Sequence, residues 1–409
     1  MARFTGPTAL VAVAATFALF FPTSVGGVIS FELGRAAMAL NAGLLALMLL
    51  RYGPLDRAQM AGSLAMIGWL SALTLLTPDA DVSPGTFLVF IGLAFLLSLR
   101  LIDVASPGPW LLRGINLFVA VLGIGLSLDI AIANTFTRAF YSSFYDNLLL
   151  SMVYWNHKPV LTFATHSTAG FFYYLFFWLN FRRFRATGAP SALLWVVLIV
   201  ALGFNVRSTT STILMGVAVV QLAIELMRRA PARVRGPVLV TALPALAVVA
   251  IVAGAPAKVS ALVDLVKGTD KAGLQSRYST SGLLSGNLRY LNESPLSPIG
   301  FTYGPEDLFY GDSGMVLVMV RGSLPLVVLV YVGFWRFLDR NLRRRGDVLC
   351  LFLVTCAFEV GYTPLQLFRF TSFLPFLIVT LNALPEPGDR PAPLSVSPSD
   401  PGRPEPATS

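Results

Sequence analysis

Charge is scarce in this sequence. Only 12% of its 409 residues are Asp, Glu, Lys or Arg, about half the share of a soluble domain, which excludes an ordinary water-soluble enzyme. Histidine is limited to His157 and His166. They do not have the spacing of tandem ligands on a helix, so nothing resembles a zinc site. The two cysteines, Cys350 and Cys356, lie in one apolar run, where a helix points them to different faces; neither a disulfide framework nor a cysteine metal site is available. The Gly-x-Ser-x-Gly elbow of serine hydrolases and the Walker phosphate loop are also missing. A reaction carried out here has to draw on its substrate's own activated bond rather than on ATP.

Apolar residues fill the space that charge leaves. Hydrophobic side chains make up 55% of the chain, and a helix that crosses a bilayer needs about 20 consecutive apolar residues. The sequence predicts about twelve such runs, over 8–24, 30–50, 59–77, 86–102, 110–133, 160–181, 190–206, 208–227, 236–255, 314–335, 347–363 and 367–384. Roughly 240 residues then sit in lipid, as one all-α, polytopic transmembrane domain over 1–384. The first run, with Arg3 ahead of it and small residues over 24–27, has the form of a signal peptide as well as of a span; the topology downstream is the same either way. The tail over 385–409 is rich in Pro and Ser and reads as disordered.

The net charge of +9 is a topology signal rather than a nucleic-acid footprint. Arg51 and Arg57 follow the second run, Arg100 the fourth, and Arg182, Arg183 and Arg185 the sixth. Arg228, Arg229, Arg233 and Arg235 follow the eighth, and Arg336, Arg340, Arg343, Arg344 and Arg345 the tenth. The connections 25–29 and 78–85 have no Lys or Arg. The positive-inside rule therefore puts the arginine-rich ends and both termini in the cytoplasm. Two outer connections are long, 134–159 and 256–313, the second with an amphipathic piece over 259–267. Binding or chemistry is expected on that face.

An ionisable side chain within a span costs at least ~2.5 kcal/mol at the helix centre, so each one here asks for a reason. Glu32 and Arg35 share a helical face and read as an intrahelical pair. Asp129 and Glu359 read as packed against polar neighbours. Arg207, Arg277, Arg289, Arg321 and Arg369 all fall in the outer half, where arginine should be depleted. Arg207, Arg321 and Arg369 can snorkel to headgroups. The clustering also fits a site for the phosphates of an anionic, lipid-linked substrate, since a guanidinium stays charged and binds phosphate in a bidentate fork. His166, among Thr165, Ser167 and Thr168, reads as a hydrogen-bonded structural histidine. Asp312, just ahead of the tenth run, is either a helix N-cap or a group for chemistry. Tyr278, Tyr290, Tyr303 and Tyr310 can stack on sugar rings or anchor at the interface.

Four pieces of sequence, in order, carry a family resemblance over roughly 155–335. They are His157-Lys158-Pro159 with Phe163, His166-Ser167 and Gly170; Val206-Arg207-Ser208-Thr209; Arg277 leading to Asn292-Glu293-Ser294-Pro295-Leu296-Ser297-Pro298-Ile299-Gly300-Phe301; and Asp312-Ser313 with Gly322 ten residues on. The set resembles the O-antigen polymerase and ligase superfamily, the Wzy and WaaL type of bacterial polysaccharide enzymes. Asp312 replaces the usual ligase histidine and the glycine after it is one residue early, so a polymerase is expected, with a ligase as the alternative. The resemblance implies a multi-span fold of the glycosyltransferase C type, working at the outer face of the inner membrane with no metal or cofactor. Its substrate would be an undecaprenyl-pyrophosphate-linked glycan, joined into O-antigen, capsule or exopolysaccharide. Membrane lipids and a chain-length regulator are the further partners implied; nucleic acid is not.

Under that resemblance Arg207 and Arg277 neutralise the leaving pyrophosphate, and Asp312 accepts the acceptor's proton or orients the acceptor sugar. Arg289, Arg321, Arg369, Lys158, His166 and Tyr290 are the further substrate-binding candidates. A sugar pyrophosphate is already activated, so charge neutralisation, alignment and a proton acceptor suffice. A secondary transporter is the rival class, because twelve spans with both ends inside is also the plan of the major facilitator fold. Gly53-Pro54-Leu55-Asp56-Arg57 is similar to that fold's loop after span two, but Ala58 and Gln59 end the match. A lipid-linked glycan flippase is the closer competitor. A transporter gathers polar residues near the midplane, whereas the enzyme is expected to gather them at the outer third.

Overall fold

The computed structural model describes residues 6–21, 55–77, 81–102, 108–142, 158–163, 165–229, 278–293, 298–304, 308 and 313–385, with a few positions between 36 and 46. In chain order the described helices are α1 (Gly6–Phe20), α2 (Arg57–Leu75), α3 (Pro84–Leu97), α4 (Gly108–Ile132, with a π-helical stretch at Val119–Ile124), α5 (Thr135–Ser142), α6 (His166–Thr187), α7 (Pro190–Asn205), α8 (Thr209–Arg229), α9 (Ser285–Glu293), α10 (Gly314–Asn341), α11 (Arg345–Glu359) and α12 (Phe368–Ala383). A 3₁₀ turn, Pro364–Gln366, links the last two. Among the described residues there is no β-strand, only two isolated bridges.

Four helices, α2, α4, α8 and α10, are long and apolar enough to cross a membrane, and α3, α7, α12 and most of α1 are shorter apolar helices. The chain is therefore an all-α membrane protein. Of the twelve predicted runs, ten overlap described helices, with ends that differ by up to six residues. The run over 30–50 is described at only a few positions, all helical, and the run over 236–255 lies outside the described residues. Glu32, Arg35 and the piece over 259–267 also lie outside them. Helices α5 and α9 fall within the two long connections. Asp129 has polar neighbours, as expected: its carboxylate accepts from the Phe136 and Thr137 amides at 3.1 and 2.7 Å and so closes the first turn of α5.

Side-chain caps set several of the helix starts. Asp56 accepts from Ala58 and Gln59, Ser83 from Thr86, Thr165 from Thr168 and Ser313 from Val316, satisfying amides that a first turn leaves open. Two expectations are corrected by these caps. The sixth run, predicted from 160, starts at His166, because Thr165 holds the cap and Leu161, at φ 55°, keeps the segment before it out of the helix. The N-cap of the tenth run is Ser313 and not Asp312.

The tenth run is also longer than predicted, and it is broken. At Gly322 and Ser323 the backbone leaves the helix, Ser323 with φ 55°. Pro325 is the cause: without an N–H it cannot bond the carbonyl four residues back, which belongs to Arg321. A segment of the long connection fills the gap. The Gly300 N–H donates to the Arg321 carbonyl at 2.9 Å, Ile299 to Val320 at 3.2 Å, and the Trp69 indole to Gly322 at 2.9 Å. Arg321 closes the clasp from the other side by donating to the carbonyls of Gly300 and Thr302. Gly300 is required twice over. Its φ is 58°, and a Cβ there would stand 2.7 Å from the Thr74 backbone nitrogen. Gly300→Ala is expected to cost more than about 2 kcal/mol, read as a lowered melting temperature in detergent; an unchanged melt would refute the clasp.

At the centre, α6 is buried along almost its whole length, with Phe163 stacked on Phe172 at 4.6 Å and Phe171 on Phe358 at 4.6 Å. Asn116 and Asn180 form a reciprocal buried amide pair, both bonds 2.9 Å, joining α4 to α6. In apolar surroundings an unsatisfied amide is costly, and the pairing leaves neither short of a partner.

Among the described residues, Arg182, Arg185, Arg229 and Arg340, which follow alternate runs, gather at one end of the bundle. Arg182 pairs with Asp347 at 2.9 Å, Arg185 and Arg229 share Glu225 at 3.2 and 2.8 Å, and Arg340 pairs with Asp56 at 2.7 Å. Asn341 donates to the Leu99 carbonyl, and Asn382 to the Asn341 carbonyl, tying the loops together. The Gln59 N–H, and after it the Arg340 guanidinium, hold the Asp56 carboxyl below its usual range against the opposing effect of burial. A lowered carboxyl pKa contributes stability above the usual carboxylate value and loses it as pH falls through the lowered one, so this clasp is complete at neutral pH.

Candidate active site

The opposite end of the bundle holds described neighbours of the residues that the sequence singles out. Ser208 caps α8 by accepting from the Ser211 amide at 3.0 Å, and its hydroxyl donates to the His166 carbonyl at 3.4 Å. This joins the α7–α8 junction to the start of α6. The helices approach closely there: a Cβ on Gly170 would lie 2.8 Å from the Ser211 Cα, and the Ser211 hydroxyl donates to the Gly203 carbonyl at 2.6 Å. In the first turn of α6, the Thr168 hydroxyl donates to Tyr362 Oη at 2.7 Å. The Tyr362 carbonyl accepts from the Gly314 amide at 2.8 Å, bringing in the start of α10. Ser313 Oγ accepts from Tyr278 Oη at 2.9 Å, and Tyr278 also reaches the Val360 carbonyl. A continuous chain of hydrogen bonds and covalent neighbours thus runs from Ser208 to Tyr278.

Beneath this chain lies Glu359, fully buried. Its Oε1 accepts from the Leu365 amide at 2.8 Å and its Oε2 from Tyr331 Oη at 3.0 Å. A Cβ on Gly314 would fall 1.5 Å from Oε2, so glycine alone fits where α10 passes the carboxyl. Polar neighbours are what the sequence predicts for Glu359. The ring of Tyr278, Tyr331, Tyr362, Thr168 and Ser313 that surrounds this region escapes sequence reasoning, because its members come from separate runs. The Ser-Gly pair after Asp312 is the one local signal, a cap followed by a close approach.

The candidates divide by setting. Arg207 is exposed and has φ 55°, uncommon for a residue with a side chain; its amide donates to the Phe204 carbonyl at 3.1 Å. Backbone held in that region at a cleft or junction is a pointer to function. His166 and Lys158 are half-buried, and the Lys158 carbonyl accepts from Tyr141 Oη. On α9, Arg289 is exposed, while Tyr290 packs on a small apolar cluster built from Leu284, Ile299, Val316 and Val320. Arg321 and Arg369 do not reach outward: they are only 3% and 4% exposed. Arg321 belongs to the clasp on α10. Arg369 donates to the carbonyls of Thr162 and Phe21, with its guanidinium over the Phe163 ring at 4.8 Å. Arg277 and Asp312 lie outside the described residues.

Among the described residues no group of three His, Cys, Asp or Glu side chains is placed to hold a metal ion. No known family model matches the chain, and no curated protein is similar to it at a meaningful level.

Proposed function

We propose that this protein is a polymerase that joins undecaprenyl-pyrophosphate-linked oligosaccharide repeat units at the outer face of a bacterial inner membrane. One observation supports the reading above the others. Ser208, Tyr278 and Ser313, the chain neighbours of Arg207, Arg277 and Asp312, belong to one hydrogen-bonded network at the end of the bundle opposite the arginine-rich end. By the positive-inside rule that end is the outer one. Polar groups gathered at helix ends favour this reading over a transporter, whose site belongs at the midplane.

In the proposed reaction an acceptor hydroxyl oxygen attacks the anomeric carbon of the donor. The bond from that carbon to the pyrophosphate oxygen breaks, and the lipid pyrophosphate leaves with the electron pair. Arg207 and Arg277 take up the charge that develops on it, as guanidinium forks do, and Asp312 receives the hydroxyl proton. Arg289, Lys158, His166 and Tyr290 are proposed to contact the glycan. Arg321 and Arg369 are assigned to the frame, since Arg321 donates to the carbonyls of Gly300 and Thr302 and Arg369 to those of Thr162 and Phe21. A ligase would differ in its acceptor alone.

The test is reconstitution. Purified protein in liposomes, given a lipid-linked repeat unit, is expected to yield a ladder of longer lipid-linked glycans without added metal or nucleotide. Translocation of the repeat unit without any new glycosidic bond would overturn the proposal in favour of a flippase.

A further inference from the structure

A groove of about 290 Å³ opens between α2, α3 and α10 toward the arginine-rich end. It is distinct from the site above, and two glycines create it. A Cβ on Gly62 would meet nothing within 4 Å, and one on Gly333 would meet only Leu97, at 3.4 Å. Met66, Val328 and Val332 give it apolar walls. Both α2 and α10 are long and apolar enough to span a membrane, and Val328 and Val332 on the groove wall are exposed, the setting of side chains that meet lipid acyl chains.

Two polar side chains at its end are not explained by the fold. Gln59 lines the groove, is only 8% exposed, and its Nε2 has no hydrogen-bond acceptor among the described residues. A buried amide donor left in that state is costly. Arg336 also lines the groove, is exposed, and makes no ion pair among the described residues. The nearby carboxylate of Asp56 is already paired, with Arg340. A donor pair of one cation and one amide, at the end of an apolar trough inside a membrane, is complementary to a phosphodiester carrying acyl chains.

We infer that the groove binds one anionic phospholipid, its phosphate on Arg336 and the Gln59 amide and an acyl chain along Met66, Val328 and Val332. Net negative charge is what the site selects, because Arg340 stands one turn from Arg336 and disfavours a second ammonium there.

Native mass spectrometry of the full chain in detergent tests this, with phosphatidylglycerol and phosphatidylcholine of the same acyl chains as probes. Phosphatidylglycerol is expected to bind at concentrations about tenfold lower than phosphatidylcholine, and Arg336→Gln or Gln59→Leu to erase about that factor. Gly62→Leu, which puts a side chain into the space left open beside Gly62, is expected to exclude both lipids. If Gly62→Leu fails to fold, Arg336→Gln decides, since that side chain is exposed and makes no ion pair among the described residues. Equal binding of the two lipids, or full phosphatidylglycerol binding by Arg336→Gln, would overturn the inference. So would equal protection from unfolding by inorganic phosphate, which would mark a free-anion site, or a dimer mass abolished by Gly62→Leu, which would give the groove to a second copy.

Discussion

Asp312→Asn is expected to slow chain extension by about 100-fold to 10,000-fold, the usual loss when a positioned proton acceptor is removed, while donor binding stays nearly unchanged. The substitution keeps shape and removes basicity. Because Ser313 and not Asp312 caps α10, a large loss cannot be put down to a damaged helix start. Arg207→Lys is the companion. It keeps the charge but removes the fork, and should weaken donor binding if the contact is bidentate. Steady-state rates and donor binding on the same preparations separate the two roles. An Asp312→Asn protein that extends chains at the unaltered rate would remove Asp312 from the mechanism and leave the arginine assignment standing.

Asp347→Ala is expected to cost about 3–5 kcal/mol of stability, because it strands a buried cation. Arg182 and Asp347 are side chains only 5% and 3% exposed, 2.9 Å apart. Asp347 also accepts from the Trp178 indole at 3.0 Å. It sits in the first turn of α11, where a negative charge is favoured by the helix dipole. Replacing both partners together, Arg182→Met with Asp347→Leu, should recover most of the loss, since an apolar pair carries no desolvation penalty. Thermal unfolding of the three proteins measures this. A double variant as unstable as the single one would mean that packing, not charge, holds α6 to α11.

How far the sequence reveals this molecule depends on how local each cause is. Helix starts at Asp56, Ser83 and Thr165 were readable in principle, since each cap acts on an amide two or three residues away. The runs themselves follow from composition, which is why most of them coincide with described helices. The break in α10 is half legible. Pro325 announces a carbonyl without its helical partner, but nothing local says that Gly300, about twenty residues upstream, supplies the replacement donor. Arg321 and Arg369 mark the limit. An arginine in a span is conspicuous, yet the sequence does not distinguish one that faces phosphate from one that grips carbonyls of Gly300 or Thr162. Glu359 was legible as a packed carboxyl; its partners Tyr331 and Leu365 were not, because they belong to other elements.

Deleting the gene in its host and sizing the surface glycan tests the central claim most directly. The polymerase account predicts that the polymer stops at a single repeat unit, exported and attached where the host attaches it, and that the intact gene restores long chains. Long chains that remain unattached would instead mark a ligase, and repeat units that never reach the outer leaflet a flippase; either result would contradict the account.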